Sequence, residues 1–260
     1  RYPSVKIASW NVNSLKVRLP HVLDWLATAQ PDVLALQETK LTDEKFPADA
    51  IAESGYEAVY TGQKTYNGVA LLSRSPASEV VFESPELAEG GKRVIKATVG
   101  NVRIVNLYVV NGQSVGSDKY DYKLAWLDRI TEEVREELAG HEHVVVLGDF
   151  NIAPSDEDVH DPAAWHESVL CSAPERQRLQ TLLTTGLEDT YRLFSQPEAT
   201  FSWWDYRQGA FRRNRGLRID LVLASTGLAR RCTAAGIDSE PRRLERPSDH
   251  APVYAEFDVS

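Results

Sequence analysis

Cysteine, methionine and long apolar runs are scarce or missing in this chain of 260 residues. Its two cysteines, Cys171 and Cys232, can form at most one bridge and lack metal-site spacing, so a disulfide framework is excluded and reduced thiols are expected. The longest apolar runs, such as residues 102–110, are too short to cross a bilayer, and the first residues do not resemble a signal peptide. Methionine is absent, for which we have no physical account. We expect a soluble cytoplasmic protein without a membrane partner.

Basic residues are concentrated in two segments of an otherwise acidic chain. The net charge of −9 argues against a general nucleic-acid binder, because affinity for phosphate backbones depends on clustered lysine and arginine. Residues 207–218 nevertheless contain five arginines and no acid, and Arg242, Arg243 and Arg246 form a second group. An acidic protein with such local basic loops can still hold DNA on one face.

Apolar strands and amphipathic stretches alternate along the chain without a Pro/Gly/Ser-rich linker or an internal repeat, so we expect a single domain over residues 1–260. Helical periodicity predicts helices at residues 19–29, 119–138 and 172–183. Short apolar or alternating segments predict the strands. These cover residues 4–10, 32–38, 57–61, 68–74, 77–82, 94–99, 102–109, 144–147, 219–224 and 253–257. The pattern indicates an α/β protein with two packed mixed sheets and helices outside.

Polar residues follow or end several of these apolar strands. They are Asn11, Glu38, Asp149, Asn151, Asp220, Asp249 and His250. Groups at strand ends are held rigidly and can converge above a sheet, as a catalytic site requires. Each residue alone also fits the alternative of a turn former or a cap, because Asn and Asp favour turns on structural grounds.

Oxygen donors dominate this set of polar residues. Carboxylates and amides without paired cysteines or a histidine cluster suit Mg²⁺ or Mn²⁺ rather than zinc. A metal beside a phosphodiester neutralises charge in the transition state, and Asp149 can orient or deprotonate the attacking water. His250, with Asp220 as its partner, can donate to the same phosphate. The residues therefore predict metal-dependent phosphodiester hydrolysis.

Six short strings span nearly the whole chain. They are IASWNVNSL (7–15), LALQETK (34–40), NLYVVNG (106–112), LGDFNIAP (147–154), NRGLRIDLVL (214–223) and RPSDHAPV (246–253). Together they resemble the motifs of the exonuclease III family of abasic-site endonucleases, within the endonuclease/exonuclease/phosphatase superfamily. Any one string is weak, whereas six in the family's order are specific.

The resemblance implies a four-layered α/β sandwich of the DNase I type, with the site at one end of two sheets. It implies that Glu38 is the principal metal ligand, and that the remaining ligands are Asn11, Asp149, Asn151 and Asp249. Asn13 departs from the pattern, because some relatives have a carboxylate there that has been proposed as a metal ligand. A second metal at that position is therefore not expected.

The resemblance also implies catalytic roles. Asp149 would handle the nucleophilic water, and Asn151 would position that water or the phosphate. Tyr108 would contact the scissile phosphate, while Asp220 would orient His250 so that its ring binds a phosphate oxygen.

DNA contacts are implied mainly in residues 201–220. Trp203, Leu217 and Ile219 would line a pocket for a base-free sugar, and the backbone contacts would be Asn111, Arg207, Arg212, Arg213 and His250. Extrusion is cheapest where the base is missing, so a small apolar pocket would select damage. Taken alone, the aromatic and basic segment equally fits a solvated face packed on core tryptophans.

The expected protein is a monomeric, Mg²⁺-dependent DNA repair phosphodiesterase of the bacterial cytoplasm and nucleoid. It would incise double-stranded DNA 5′ to abasic sites and process damaged 3′ ends as a 3′–5′ exonuclease and 3′-phosphatase. An alternative is a family member restricted to 3′ ends, because His166 lies in a connection where its bulk would obstruct a displaced sugar. Relatives that hydrolyse phospholipids or small phosphoesters, and a non-catalytic DNA-binding scaffold, are further alternatives.

Overall fold

The computed structural model describes residues 4–259, and these form fourteen strands. The strands are β1 Ser4–Asn11, β2 Val33–Gln37, β3 Glu57–Thr61, β4 Val69–Ser73, β5 Ser78–Val81, β6 Val94–Val99, β7 Val102–Tyr108, β8 Val144–Asp149, β9 Leu187–Asp189, β10 Trp203–Trp204, β11 Gly216–Leu217, β12 Asp220–Ser225, β13 Cys232–Ile237 and β14 Val253–Asp258. The helices are α1 Leu15–Ala29, α2 Ala48–Glu53, α3 Asp118–Gly140, α4 Pro162–Trp165, α5 Ala173–Thr184 and α6 Thr226–Ala229.

Twelve of the strands form two six-stranded sheets. The first sheet has the order β13-β14-β1-β2-β4-β3, and the second has the order β5-β6-β7-β8-β12-β9. The β1–β2 and β7–β8 pairs are parallel, whereas the other neighbours are antiparallel. Strands β10 and β11 form a separate two-stranded ribbon. The mixed sheets expected from the sequence are confirmed.

The alternation of side chains along each strand creates four layers. Ile7 of β1 packs between the two sheets, while Ala8 and Trp10 pack against the first helix. In the second sheet Val145 packs inward, whereas Val146 faces α3 and α5. Both sheets are therefore buried on both faces, and the predicted four-layered sandwich is confirmed.

A polar contact crosses the apolar space between the sheets. Asn106 of β7 is fully buried and donates from Nδ2 to the carbonyl oxygens of Leu36 (3.2 Å) and Ala70 (2.9 Å) in the first sheet. Its Oδ1 accepts a hydrogen bond of 2.9 Å from Gln37, the residue before Glu38. Satisfied buried hydrogen bonds of this kind fix one relative position of two surfaces, because any shift leaves polar groups unpaired.

Several elements differ from the sequence prediction, in which the short strands β9, β10 and β11 and the short helices α2, α4 and α6 were missing. Helix α1 begins at Leu15 rather than at residue 19, and it contains Pro20, which cannot donate to the carbonyl of Lys16. Lys16 is exposed, so water can satisfy that carbonyl. Strand β13 was not predicted, because its small, half-buried residues at a sheet edge show no clear alternation. Over residues 4–259, no helix combines the length and apolar character that a membrane crossing requires.

Candidate active site

Strand ends bring the predicted site residues to one edge of the sandwich. Asp149 ends β8, and the strand register pairs it with Tyr108 of β7 on one side and Asp220 of β12 on the other. In the first sheet Asn11 ends β1, and Glu38 directly follows β2. Strands β1 and β2 run parallel in the first sheet, and β7 and β8 run parallel in the second. The carboxyl ends of each pair therefore lie side by side at the edge that carries the site.

Gly148 allows the second sheet to close tightly beneath this edge. Its φ is +141°, and a Cβ atom added there would lie 1.9 Å from the carbonyl oxygen of Leu107 on β7. Only glycine fits such an approach of two backbones. Gly148 therefore keeps β7 beside β8 at the residue immediately before Asp149.

The Asp149 carboxylate is buried and receives hydrogen bonds from both sheets. Asn11 of the first sheet donates to Oδ2 at 2.9 Å, and the backbone amide of Asn151 donates to Oδ1 at 3.0 Å. Nε2 of His250 lies 3.6 Å from Oδ2. Asp149 is therefore fixed in orientation by groups that come from three separate segments of the chain.

His250 lies between two carboxylates. Its Nδ1 is 2.8 Å from Oδ2 of Asp220, and because a carboxylate only accepts, Nδ1 carries the hydrogen. The other oxygen of Asp220, Oδ1, has no hydrogen-bond partner among the described residues although it is buried. Asp220 thus orients the ring so that Nε2 faces Asp149, while the predicted contact of His250 with a phosphate oxygen stays a prediction.

Burial and mutual charges shift the protonation of this cluster. Burial raises the pKa of Asp149 to about 7, opposed by the positive charge of His250 and assisted by the negative charge of Asp220. Burial also disfavours the His250 cation, but Asp220 and Asp149 outweigh that effect and raise the pKa of His250 well above its ordinary value. His250 is therefore positive at neutral pH, and Asp149 exchanges its proton in the range that suits a general base.

Glu38 lies beside Tyr108. The Tyr108 hydroxyl donates to Oε1 of Glu38 at 2.7 Å, and the guanidinium of Arg93 lies over the tyrosine ring at 4.6 Å from its centroid. Burial, together with the charges of Glu38 and Asp149, raises the pKa of Tyr108 well above its ordinary value. Tyr108 therefore remains a neutral hydrogen-bond donor that orients the Glu38 carboxylate.

Asp249 is held by groups from two other segments. Trp203 Nε1 donates to its Oδ2 at 3.1 Å, and Asn13 Nδ2 donates to its Oδ1 at 3.2 Å. Lys40 Nζ in turn donates to Oδ1 of Asn13 at 2.7 Å. The positive ammonium group of Lys40 therefore lies against the amide oxygen of Asn13. This contact favours the expectation that no second metal binds at Asn13.

Asn151 and Asn111 form an amide pair beside Asp149. Asn151 has a φ of +49°, a left-handed conformation that Asn tolerates well, and its Nδ2 donates to the Val109 carbonyl at 2.8 Å. Asn111 is exposed and donates to Oδ1 of Asn151 at 3.4 Å. An exposed amide next to a fixed one suits the contact with a phosphate that was predicted.

The apolar residues predicted to form the sugar pocket lie together. Leu217 and Ile219 are 0% and 1% exposed and pack in one cluster with Leu170, and Trp203 packs against that cluster. Leu170 has a φ of +78°, a strained conformation for a bulky residue. Its amide donates to Glu175 at 3.0 Å, and this bond holds the strained segment in place.

The predicted DNA-contacting arginines are exposed, but they do not form one group. Arg207 has a side chain that is 84% exposed and pairs with Asp205 at 2.7 Å. Arg213 is exposed as well. Arg212 lines a cavity of about 660 Å³ with Arg243. The Asp149 cluster, which consists of Asp149, Asp220 and His250, does not line that cavity. Arg207 and Arg213 are thus exposed on the surface, Arg207 in a pair with Asp205, whereas Arg212 lines the cavity that holds Arg243.

A buried ion pair behind the site was not found by sequence reasoning. Lys123 and Glu175 are both 0% exposed and are bonded to each other. Lys123 Nζ also donates to the backbone carbonyls of Asn111 (3.0 Å) and Asn151 (2.7 Å). Two features of the sequence could have indicated this ion pair. One is a lysine on the apolar face of α3, and the other is the Ser172…Glu175 capping box of α5.

The donors at this edge fit a hard divalent cation. Ligand atoms of Asp149, Asp220 and His250 lie within 4.8 Å of one another, but His250 acts as a hydrogen-bond donor, so only the two carboxylates of this group are candidate ligands. Oδ1 of Asp220 is unpaired among the described residues. The expected ligands Glu38 and Asp249 lie outside this group, and both are only partly buried. The donors are mainly carboxylate and amide oxygens, the chemistry that Mg²⁺ and Mn²⁺ prefer.

His166 follows α4 and is exposed. It lines a cavity of about 500 Å³ together with Val159 and Cys171, which belong to the same apolar cluster as Leu217. Trp203 does not line that cavity. His166 therefore shares a cavity with two members of the Leu217 cluster, but Leu217, Ile219 and Trp203 themselves do not line that cavity.

The site combines oxygen donors that can bind a divalent cation with a histidine that can donate a hydrogen bond to a phosphate. This combination is that of a phosphoester hydrolase. The chain belongs to the endonuclease/exonuclease/phosphatase family, whose model matches residues 8–250. The predicted family resemblance is thereby confirmed, and the family is metal-dependent.

Similar proteins cover nearly the whole chain. Exodeoxyribonuclease III of Haemophilus influenzae is 37% identical over 97% of this chain and 100% of its own length. A 3′-phosphatase from Neisseria, NExo, solved with a product DNA hairpin, is 50% identical with a TM-score of 0.96, covering 98% of this chain and 99% of that one. An AP endonuclease from Archaeoglobus fulgidus is 37% identical with a TM-score of 0.93, covering 98% and 100%.

Proposed function

We propose that this chain is a Mg²⁺-dependent DNA repair phosphodiesterase that incises duplex DNA 5′ to abasic sites and processes damaged 3′ ends. The observation that carries the proposal is the buried Asp149, held by Asn11 and Asn151 and facing Nε2 of His250 at 3.6 Å. Relatives named exodeoxyribonuclease, AP endonuclease and 3′-phosphatase support DNA as the substrate. Bacterial relatives support action in the bacterial cytoplasm, where nucleoid DNA lies.

The mechanism assigns one task to each group. Glu38 would hold Mg²⁺ with help from Asn11 and Asp249, and the bound cation supplies charge neutralisation at the phosphate. Asp149 accepts a proton from the attacking water, which its pKa of about 7 permits. His250 donates from Nε2 to a phosphate oxygen and so stabilises the charge that develops there.

Substrate contacts surround this chemistry. The exposed Asn111, Arg207 and Arg213 would contact the DNA backbone. The partly exposed Trp203, packed on the closed cluster of Leu217 and Ile219, would offer a surface for a sugar without a base, because extrusion of a base-free nucleotide costs least. Selection of damage would follow from the low cost of extrusion rather than from hydrogen bonds to a base.

Removal of the metal is expected to abolish cleavage. A fluorescent duplex with one abasic site and a second duplex with a recessed 3′ end are incubated with Mg²⁺ or with EDTA. We expect nicking and 3′ trimming with Mg²⁺ only, and recovery when excess Mg²⁺ is returned after EDTA. A protein that binds both duplexes but cleaves neither under any condition would instead be the non-catalytic scaffold.

A second candidate function is favoured by one observation. His166 lies beside the sugar-pocket cluster, and the similar Neisseria protein is described as a 3′-phosphatase. A bulky ring there would obstruct an internal abasic sugar more than a terminal phosphate. The chain would then act mainly on 3′-phosphates and 3′ ends, with little abasic-site incision.

Replacing His166 with glycine tests this second candidate. We expect the ratio of abasic-site incision to 3′-phosphate removal to rise, because the obstruction is removed while the Asp149 cluster is untouched. The two rates are measured side by side on matched duplexes, with His141→Gly on the far end of α3 as a control for loss of a partly exposed imidazole. An unchanged ratio rules out obstruction by His166.

A further inference from the structure

A cavity of about 360 Å³ takes no part in the mechanism above. It lies between the segment before α4 and the basic loop that follows β10. Its lining includes the aromatic and basic residues His160, Trp165, Trp203, Arg207 and Arg215. Two indole rings and several nitrogen donors facing one space suit a flat heteroaromatic group with polar edges.

The walls of this cavity are anchored to the candidate active site. Trp203 lines the cavity, and its Nε1 also donates to Asp249 at 3.1 Å. Trp165 meets Trp203 edge to face, with centroids 6.4 Å apart and planes at 88°. The ring of His160 is fixed by Nδ1, which lies 3.1 Å from the Gly216 carbonyl. The cavity is therefore built on the same ribbon as the predicted sugar contacts.

Exonucleolytic cleavage requires a space that can hold a nucleobase. Water adds to the phosphorus, the bond from phosphorus to the 3′ oxygen of the preceding nucleotide breaks, that oxygen takes up a proton, and a nucleoside 5′-monophosphate leaves. The leaving nucleotide still carries its base, whereas a terminal phosphate or a base-free sugar does not. The cluster of Leu217 and Ile219 is closed, with these side chains 0% and 1% exposed, so it leaves no room for a base.

We propose that the cavity holds the nucleobase of the 3′-terminal nucleotide during exonucleolytic cleavage, with the base stacked on Trp165. This proposal rests on the proposed function, because it assumes that the chain trims 3′ ends. Trp165 is half-buried and lines a cavity on either side, so its ring presents surface to a ligand. Arg207 and Arg215 in the same lining supply hydrogen-bond donors for the polar edge of a base.

Replacing Trp165 with alanine tests the proposal on two duplexes that differ only at the 3′ end. One ends in an unpaired nucleotide and the other ends in a 3′-phosphate. We expect removal of the nucleotide to fall about 10-fold, the scale of one base–aromatic stack, and removal of the phosphate to stay within about 2-fold. Trp165→Phe, which keeps an aromatic face, should restore most of the nucleotide excision.

Three outcomes are distinguishable. Equal loss on both duplexes would mean that Trp165 only supports the fold, and unchanged nucleotide excision would mean that no base stacks there; either result overturns the proposal. Absence of cleavage by the unaltered protein on both duplexes would instead overturn the proposed function. Should the alanine variant unfold, Trp165→Leu provides similar bulk without an aromatic ring.

A measurement without turnover gives a second readout. A duplex carrying 2-aminopurine as its unpaired 3′-terminal base is bound in the presence of EDTA, so that no cleavage occurs. We expect the unaltered protein and Trp165→Phe to quench the 2-aminopurine fluorescence, and Trp165→Leu to lose that quenching while binding the duplex. Equal quenching by all three proteins would exclude Trp165 as the stacking partner.

Discussion

Replacing Asp149 with asparagine is expected to lower the rate of phosphodiester hydrolysis by about 10²- to 10⁴-fold, the contribution of a positioned general base. The two oxygens of Asp149 accept from Asn11 and from the amide of Asn151, so an asparagine amide there would meet a donor at one of these contacts. The variant can neither accept the proton of water nor keep both of these bonds. DNA affinity should be nearly unchanged, because Asp149 is buried and is not a backbone contact.

Single-turnover cleavage and fluorescence anisotropy on the same abasic duplex separate the two effects. Asp24→Asn is the matched control, since it makes the same chemical change on the exposed face of α1. A loss of DNA affinity as large as the loss of rate would show that Asp149 is mainly structural.

Replacing Lys123 with methionine is expected to destabilise the protein by about 3–5 kcal/mol, because it leaves the buried Glu175 carboxylate without its partner. Activity should fall as well, since Lys123 holds the backbone carbonyls of Asn111 and Asn151. The double variant Lys123→Met/Glu175→Gln removes both charges and retains the capping box, in which Gln replaces Glu readily. It should recover most of the stability while remaining less active.

Urea unfolding gives the free energies, and cleavage of an abasic duplex gives the activity. Arg135→Met serves as the control, because the Arg135–Glu132 pair on α3 is about half exposed and should contribute less than about 1 kcal/mol. If the single and double variants are equally unstable, the charge of Glu175 is not the cause. If the double variant is fully active, the Lys123 contacts do not position Asn151.

The sequence was sufficient to predict the elements that follow simple periodicity. The α3 helix and β8 strand are apolar at regular intervals, and residues such as Asp149 stand out because they end such strands. Recognition of six motifs then supplied the four-layered arrangement. Strand β13 escaped prediction because an edge strand of small residues is defined by its pairing with β14, which is a tertiary contact.

Partnerships between distant residues could not be read from the sequence. Lys123 and Glu175 are 52 positions apart, and nothing local indicates that one neutralises the other. Lys40 and Asn13 are likewise joined across 27 positions, by a hydrogen bond of 2.7 Å. Such contacts depend on how the chain packs, which only the folded structure reveals.

The buried Asn106 bridge has a consequence for catalytic precision. Asn11 ends β1 and Glu38 directly follows β2 of the first sheet, while Tyr108, Asp149 and Asp220 belong to the second sheet, so each half of the site is incomplete alone. Sliding one sheet by a single residue would displace the halves by about 3.3 Å, and an error of about 1 Å can already cost roughly 100-fold in rate. By bonding to Leu36, Ala70 and Gln37, Asn106 holds the two halves of the site in one alignment from within the core.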